Sequence, residues 1–592
     1  MEVKLTDCYT RSEGKALMSG TEALVRLLLE QSRIDRSNGL STKGLVSGYP
    51  GSPLGGLDIA LGKAQAFLDE EEIYFQPAVN EELAATALWG SQHINLYDNP
   101  EIQGVFSMWY GKGPGLDRAM DALRHANQGG VAPHGGMVIA VGDDPTGKSS
   151  TLAYQSDQNF HSLGIPYFFP KNVSDIIPMG LEAFALSRYS GCCVGLKIVV
   201  DTADSNAVVD MSKLRPSLPI LKPNSLVHVT KHDPASVRES KLHDLRLPAV
   251  QTWCENSKNV AQVYLPAKKG ETRLGIIGVG KIANEVNEAL ASLLPDRDKK
   301  NTIAFTAINM PWPLPEKKIS AMLSVVNEVL VIEEKRSFVE EQIAKICLKQ
   351  DCHILLSGKT NPDGTNLLPS YGELSLENIL NVIAARASHH SIVLNPIEKA
   401  PVVSSLSEIP IRQPYYCAGC PHNSSTKVSD GEIVGMGIGC HSISGFINPD
   451  TITNFTQMGG EGAFWIGRAP FSDRSHSFQN MGDGTYAHSG YLGVRAAVAA
   501  GVNITFKMLV NDAVAMTGGQ SAQGGSTPLS MSEQLLAEGV EKVVIVSDQP
   551  DEIRLNGSWP ASVDFFHRDK ILRVQDDLSQ IKGVTALLHV QT

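Results

Sequence analysis

NMGDGTYAHSGYLGVRAAVAAGVNITFKMLVNDAVAMTGGQ, residues 480–520, runs from a strand-like end through a Gly-rich turn and an Ala-rich helical stretch into a second apolar strand. Strand, helix, strand in one direction is the unit of a parallel sheet. Gly482, Asp483 and Gly484 follow the first strand; Asn511 ends the second, with 26 residues between it and Gly484. In doubly wound sheets ligands gather beyond the carboxyl ends of the strands, so two hard oxygen donors, Asp483 and Asn511, are delivered to one sheet edge. One carboxylate, one amide and a diphosphate suit Mg2+, and the glycines allow close approach of a phosphate. The competing interpretation is a plain turn at Gly482–Gly484 and a strand-end cap at Asn511.

The same alternation extends in both directions. KGLVSGY, EIQGVFSMWY, GGMVIAV and CCVGLKIVV read as strands separated by amphipathic stretches such as GTEALVRLLLEQSRI. A polar, Pro-containing stretch interrupts the pattern between about Pro216 and Glu271, and RLGIIGVGKIANEV begins a second strand, turn and helix. The expected division is an α/β domain over 1–240, a linker over 241–270, an α/β domain over 271–400 and a third over 401–592. No short repeat or low-complexity tract suggests a solenoid or fibre.

Composition agrees with several folded domains in 592 residues: 42% hydrophobic and 19% charged. A net charge of -12 and a pI near 5.8 argue against a surface built for nucleic acid or anionic lipid. Without an apolar signal core or a run of about 20 apolar residues, the chain is expected to be cytoplasmic, with no membrane partner. Nine cysteines fit a reducing compartment better than a disulfide framework.

The Gly482–Asp483–Gly484 motif with Asn511 resembles the diphosphate motif of thiamine enzymes, and its MTGGQ tail, 516–520, resembles the form found in 2-oxoacid:ferredoxin oxidoreductases. The resemblance implies thiamine diphosphate contacts at Gly482, Asp483, Gly484, Thr485, Asn511, Ala513, Thr517 and Gly518. Mg2+ would be held by Asp483, Asn511 and the Ala513 carbonyl. Such enzymes also need a carboxylate at the aminopyrimidine N1′, which favours the imino tautomer that removes the C2 proton. Asn80–Glu81–Glu82, between the strand-like EEIYFQPAV and the helical LAATALWGSQ, resembles the NE-containing motif of indolepyruvate oxidoreductases. That likeness assigns the catalytic role to Glu81, with Glu82 as the alternative and an ordinary helix-start carboxylate as the competing interpretation. Gly48, Tyr49 and Pro50, in GYPGSP, resemble the family's Gly-Pro loop and are expected to contact cofactor or substrate.

Two other motifs carry less. Gly142–Asp143–Asp144–Pro145–Thr146–Gly147–Lys148–Ser149 satisfies the P-loop pattern. Its two carboxylates would repel a polyphosphate and Pro145 lacks an N–H, so nucleotide binding is rejected. Gly275, Gly278 and Gly280 form GxxGxG after a strand, which we read as strand-to-helix packing rather than a dinucleotide or CoA site. Arg124, His125 and His134 could bind a substrate carboxylate, but solvated or satisfied side chains are the simpler account.

Cys417 and Cys420 form CxxC, and Cys440 follows after 19 further residues. Three thiolates suit zinc or an iron–sulfur cluster, while an isolated CxxC also fits a redox pair or a turn. CAGCPHN and GIGCH resemble family motifs and imply a [4Fe-4S] cluster. Related chains supply a fourth cysteine after the last strand, so a C-terminal continuation or a second subunit is expected to complete electron transfer, and ferredoxin reduction is expected to be poor without it. MWYGKGPG (108–115) and MGGEGAFWIG (458–467) extend the resemblance to nearly the whole chain. The family implies a multidomain α/β fold: pyrimidine-binding and diphosphate-binding parallel-sheet domains flanking a transketolase C-terminal-like domain, in a homo- or hetero-oligomer. The implied reaction is oxidative decarboxylation of an arylpyruvate or related 2-oxoacid, with CoA as co-substrate and ferredoxin as acceptor. Non-oxidative decarboxylation and a thiamine-binding structural or regulatory subunit are the alternatives.

Overall fold

A computed structural model describes residues 4–98, 100–148, 150, 152–294, 302–397, 413–511 and 513–591. The chain divides into two compact units, Met1–Pro401 and Val402–Thr592. The boundary expected near Ala400 lies outside the described residues.

The first unit contains two mainly parallel sheets. Six parallel strands lie in the order Ile73–Phe75, Thr42–Gly48, Gly104–Lys112, Met137–Asp143, Val194–Val199 and Tyr167–Phe168. The central ones are buried along nearly their full length. Both faces are covered, which is why these segments are continuous apolar runs rather than alternating ones. Helix Gly20–Ser37, one of the covering elements, starts at a capping box. Ser19 Oγ accepts from Glu22 N at 3.2 Å while Glu22 Oε2 accepts from Ser19 N at 2.8 Å.

The second sheet has the order Leu355–Ser357, Glu328–Ile332, Leu274–Val279, Ile303–Ile308 and Ala261–Leu265, the last antiparallel. Adjacent residues of its strands serve opposite faces. Ile276 joins the core beneath helices Ile282–Leu293 and Leu376–His389, while Ile277 joins the core shared with the six-stranded sheet. Gly280, at φ +52°, lies where a Cβ would meet the Phe169 ring at 2.0 Å, and one on Gly278 would meet Ala283 Cα at 2.9 Å. The GxxGxG glycines therefore serve packing, as the sequence suggests.

Residues 241–270, expected as a linker, are largely structured. A helical run from Ala235 to Asn256 is followed by the edge strand Ala261–Leu265. Leu242, Val250, Trp253 and Cys254 form its buried face, although the surrounding charged residues obscure that period in the sequence. Arg246 is 0% exposed and donates to the carbonyls of Val227, Asn127, Gln128 and Gly129 at 2.6–3.1 Å. Arg246→Leu removes the donors but leaves the buried acceptors. A loss on the order of 3–5 kcal/mol is expected from urea unfolding, against near-neutrality if water replaces the guanidinium.

The second unit is one seven-stranded parallel sheet, ordered Ile452–Phe455, Val434–Met436, Ser477–Gly482, Ile504–Val510, Val584–Val590, Lys542–Ser547 and Asp564–His567. Ser477–Gly482 and Ile504–Val510 are the neighbouring strands anticipated from residues 480–520, joined through helix Tyr491–Ala500. No helix among the described residues is long and apolar enough to cross a membrane.

Candidate active site

In the second unit, strand Ser477–Gly482 ends at Asp483. Asp483 Oδ1 accepts from Gly484 N at 2.8 Å and Oδ2 accepts from Asn511 N at 2.9 Å. One carboxylate thus ties together the carboxyl ends of two adjacent strands, which are in register at Gly482 and Leu509. Among the described residues nothing lies within 4 Å of where a Cβ on Gly482 would stand, so they leave this side of the turn open. Thr485 is buried, with Oγ1 donating to Ile438 O at 3.1 Å.

Residues 513–520 fold back over this turn. Val514 N donates to Gln520 O at 2.7 Å and Gly519 N to Val514 O at 3.1 Å, while Thr517 Oγ1 donates to Gln520 Oε1 at 2.9 Å. Gly518 and Gly519, at φ +130° and +81°, supply the left-handed backbone that this return requires. Val514 Cγ2 lies 3.1 Å from where a Cβ on Gly484 would stand. The tail and the Gly-Asp-Gly turn are therefore one packed structure. Asp483, Asn511 and Ala513 offer a carboxylate, an amide and a carbonyl, oxygen donors of the type that suits Mg2+ completed by phosphate and water, and the Ala513 carbonyl accepts from Ala515 N at 2.9 Å.

In the first unit, Glu81 opens helix Glu81–Ser91 beneath the N-cap Asn80, whose Oδ1 accepts from Leu83 N at 3.0 Å. Glu81 is 4% exposed, whereas the Glu82 side chain is 46% exposed and lies 3.9 Å from Arg118. The buried member of the pair is thus the one assigned from the motif. Trp109 Nε1 donates to Glu81 O at 3.0 Å, and Glu81 Oε1 lies 2.8 Å from where a Cβ on Gly115 would be. Only glycine at 115 leaves the carboxylate its place.

Gly48 and Tyr49 lie at the same sheet edge, with Tyr49 N donating to Tyr110 O at 3.2 Å. A Cβ on Gly48 would meet Tyr110 O at 2.1 Å, so the start of this loop can lie against its neighbour only as glycine. Pro50 follows, partly buried. Gly51 is covered by the stem of Lys112, a residue quoted within MWYGKGPG but given no role from sequence. Burial lowers the proton affinity of the Lys112 ammonium, opposed by the negative charge of Glu81. Its signal was a lone cation before Gly-Pro-Gly at a strand end.

The P-loop-like segment is a self-satisfied turn. Asp144 Oδ1 accepts from Thr146 N at 3.3 Å and Gly147 N at 2.9 Å, consuming donors that a phosphate would need. Asp143 accepts from Ser156 N and Oγ, both at 2.9 Å, and lies 3.4 Å from Lys197. The next helix starts only at Asp157, and Ser149 lies outside the described residues. Lys148→Ala should therefore leave turnover unchanged; Lys148-dependent Mg-ATP binding in calorimetry would reverse this view. Arg124 donates to Ser162 O at 2.9 Å, and His125 lies 3.9 Å from Asp121 on the surface.

Cys417 is exposed, and Cys420 and Cys440 are half-buried. Burial pushes the Cys440 thiol up, aided by Cys420 and Cys417, and Cys420 Sγ lies 3.1 Å from His422 Nδ1. Proximity stops short of a ligand set: among the described residues no group of three or more His, Cys, Asp or Glu side chains could hold a metal ion. The cysteines as placed do not form the cluster site expected from the motif.

Residues 266–402 match the model of the indolepyruvate oxidoreductase domain. The chain is 26% identical over 563 residues to the indolepyruvate oxidoreductase subunit IorA of Methanothermobacter marburgensis, covering 91% of this chain and 82% of that protein. The IorA subunit of Pyrococcus abyssi is 25% identical over 578 residues, covering 92% and 82%. Among solved structures, 2-oxoglutarate:ferredoxin oxidoreductase from Magnetococcus marinus aligns with a TM-score of 0.43 and 16% identity, over 63% of this chain and 65% of that one.

Proposed function

From its similarity to indolepyruvate oxidoreductase IorA subunits over most of its length, we propose that the chain belongs to that family and carries out thiamine diphosphate-dependent oxidative decarboxylation of a 2-oxoacid. An arylpyruvate is the favoured substrate, with CoA taking the acyl group and ferredoxin the electrons. The observation that carries this reading is the Asp483 carboxylate joining two strand ends beside Asn511 and Ala513, under a turn whose open side would admit a phosphate.

Thiamine diphosphate, when bound, supplies the nucleophilic carbon for the 2-oxo group and the electron sink for loss of CO2. Asp483, Asn511 and Ala513 O would hold Mg2+ on the diphosphate, while Gly482, Gly484, Thr485, Thr517 and Gly518 would shape its cradle. Glu81 would hold a proton at the pyrimidine nitrogen, and burial keeps water from competing for its carboxylate. Gly48, Tyr49 and Pro50 would flank that end. The thiols of Cys417, Cys420 and Cys440 are assigned no electron step, because as placed they do not form a closed ligand set.

The same reading assigns a pyrimidine-binding type to 1–240, a transketolase C-terminal-like type to 271–400 and a diphosphate-binding type to 401–592. The protein would act with further subunits or copies of itself in the cytoplasm. A panel of 2-oxoacids, assayed anaerobically with thiamine diphosphate, Mg2+, CoA and ferredoxin, tests the proposal. Acyl-CoA formed in step with reduced ferredoxin, fastest with arylpyruvates, is the expected result. Aldehyde as the product with ferredoxin left oxidised would overturn it.

A further inference from the structure

Besides the elements already described, the second unit contains a small cleft between the cysteine-bearing loop and the carboxyl edge of its sheet. It is lined by His422 and Ser425 of that loop, Leu509 and Asn511 at one strand end, and His589 and Gln591 at the neighbouring one. Leu509 and His589 are in register on adjacent strands, so they share a face of the sheet.

Three polar atoms in this wall have no hydrogen-bond partner among the described residues: Ser425 Oγ, His589 Nε2 and Gln591 Oε1. Ser425 is 1% exposed and His589 2% exposed. Leaving one such atom unpaired costs about 1–3 kcal/mol, so three on one cleft point to a shared ligand rather than to chance. The cleft gives a water-sized sphere about 10 Å3 in which to sit, which meets the need of one water and excludes a phosphate or carboxylate.

Lys507, fully buried two positions before Leu509, donates to Lys427 O at 2.7 Å, and burial pushes its ammonium down to about 7. Burial, with Lys507 second, pushes His589 down to about 4, so its ring is neutral with one donor and one acceptor nitrogen. A ligand that both donates and accepts satisfies a hydroxyl, a neutral imidazole and an amide oxygen together.

We infer that the cleft binds a single water molecule, held by Ser425, His589 and Gln591, that pins the cysteine-bearing loop to the carboxyl edge of the seven-stranded sheet.

A crystal structure of the full chain, at a resolution that shows ordered water, provides the direct test. One peak within about 2.7–3.2 Å of Ser425 Oγ, His589 Nε2 and Gln591 is expected. Direct contact among the three side chains, or a peak whose scattering and coordination require an ion, would overturn the inference. Hydrogen exchange on Ser425→Val gives an independent measure, since valine fills the space without bonding water. Amides of 420–426 should exchange about tenfold faster while strand Ile504–Val510 stays as slow as in the parent chain. Unchanged exchange in the loop would count against the bridge.

Discussion

Asp483→Asn should weaken Mg2+-dependent thiamine diphosphate binding at least about a hundredfold, close to 2.7 kcal/mol, with little loss of fold stability. Asparagine keeps the size of the side chain and one acceptor oxygen, so it can preserve either the bond from Gly484 N or that from Asn511 N. It removes the only negative charge assigned to the ion. Asp483→Ala should lose binding as well, but it also releases both strand-end contacts and confounds the metal with the scaffold. The pair therefore separates two roles. Calorimetric titration of each variant with cofactor, at fixed and at zero Mg2+, supplies the measurement, with urea unfolding as the control for folding. If Asp483→Asn binds as tightly as the parent chain while Asp483→Ala does not, the carboxylate is a strand-end brace and not a metal ligand.

Much of this site was legible in the sequence because it is local. Gly482–Gly484, Asn511 and the 516–520 tail lie in one strand–helix–strand unit, where hydrophobic period and turn chemistry fix which residues reach the sheet edge. The same holds for Glu81 at a strand-to-helix junction. What was hidden depends on contacts between distant segments. That Glu81 rests on Gly115 and receives Trp109 Nε1 on its carbonyl requires two separate segments to meet. Lys112 reads as an ordinary strand-end cation until Gly51 and Glu81 are placed beside it. Residues 241–256 read as linker because the buried positions of this helical run are diluted by charge, and Arg246 declares its burial only through four remote carbonyls. The cysteine spacing is legible as a motif, but what completes a ligand set around Cys417, Cys420 and Cys440 depends on groups outside that motif.

Glu81→Gln should retain thiamine diphosphate but slow hydrogen exchange at its C2 carbon by about 10²–10⁴-fold, the range expected when a positioned acid–base group is lost. The substitution is close to isosteric, so the contact with Gly115 and the helix start below Asn80 should persist. An amide cannot share a proton with a pyrimidine nitrogen as a carboxyl group does. Binding and proton exchange should therefore part company, with calorimetry unchanged and deuterium exchange by rapid quench and NMR strongly slowed. Gly115→Ala offers a second approach to the same carboxylate: its Cβ would come within 2.8 Å of Glu81 Oε1 and must displace it. A slowed exchange in both variants would trace the effect to where that carboxylate stands. Fast exchange in Glu81→Gln would transfer the role to another group, and Glu82→Gln would then be the variant to slow it. Fast exchange in all three would remove this helix start from the proton chemistry altogether.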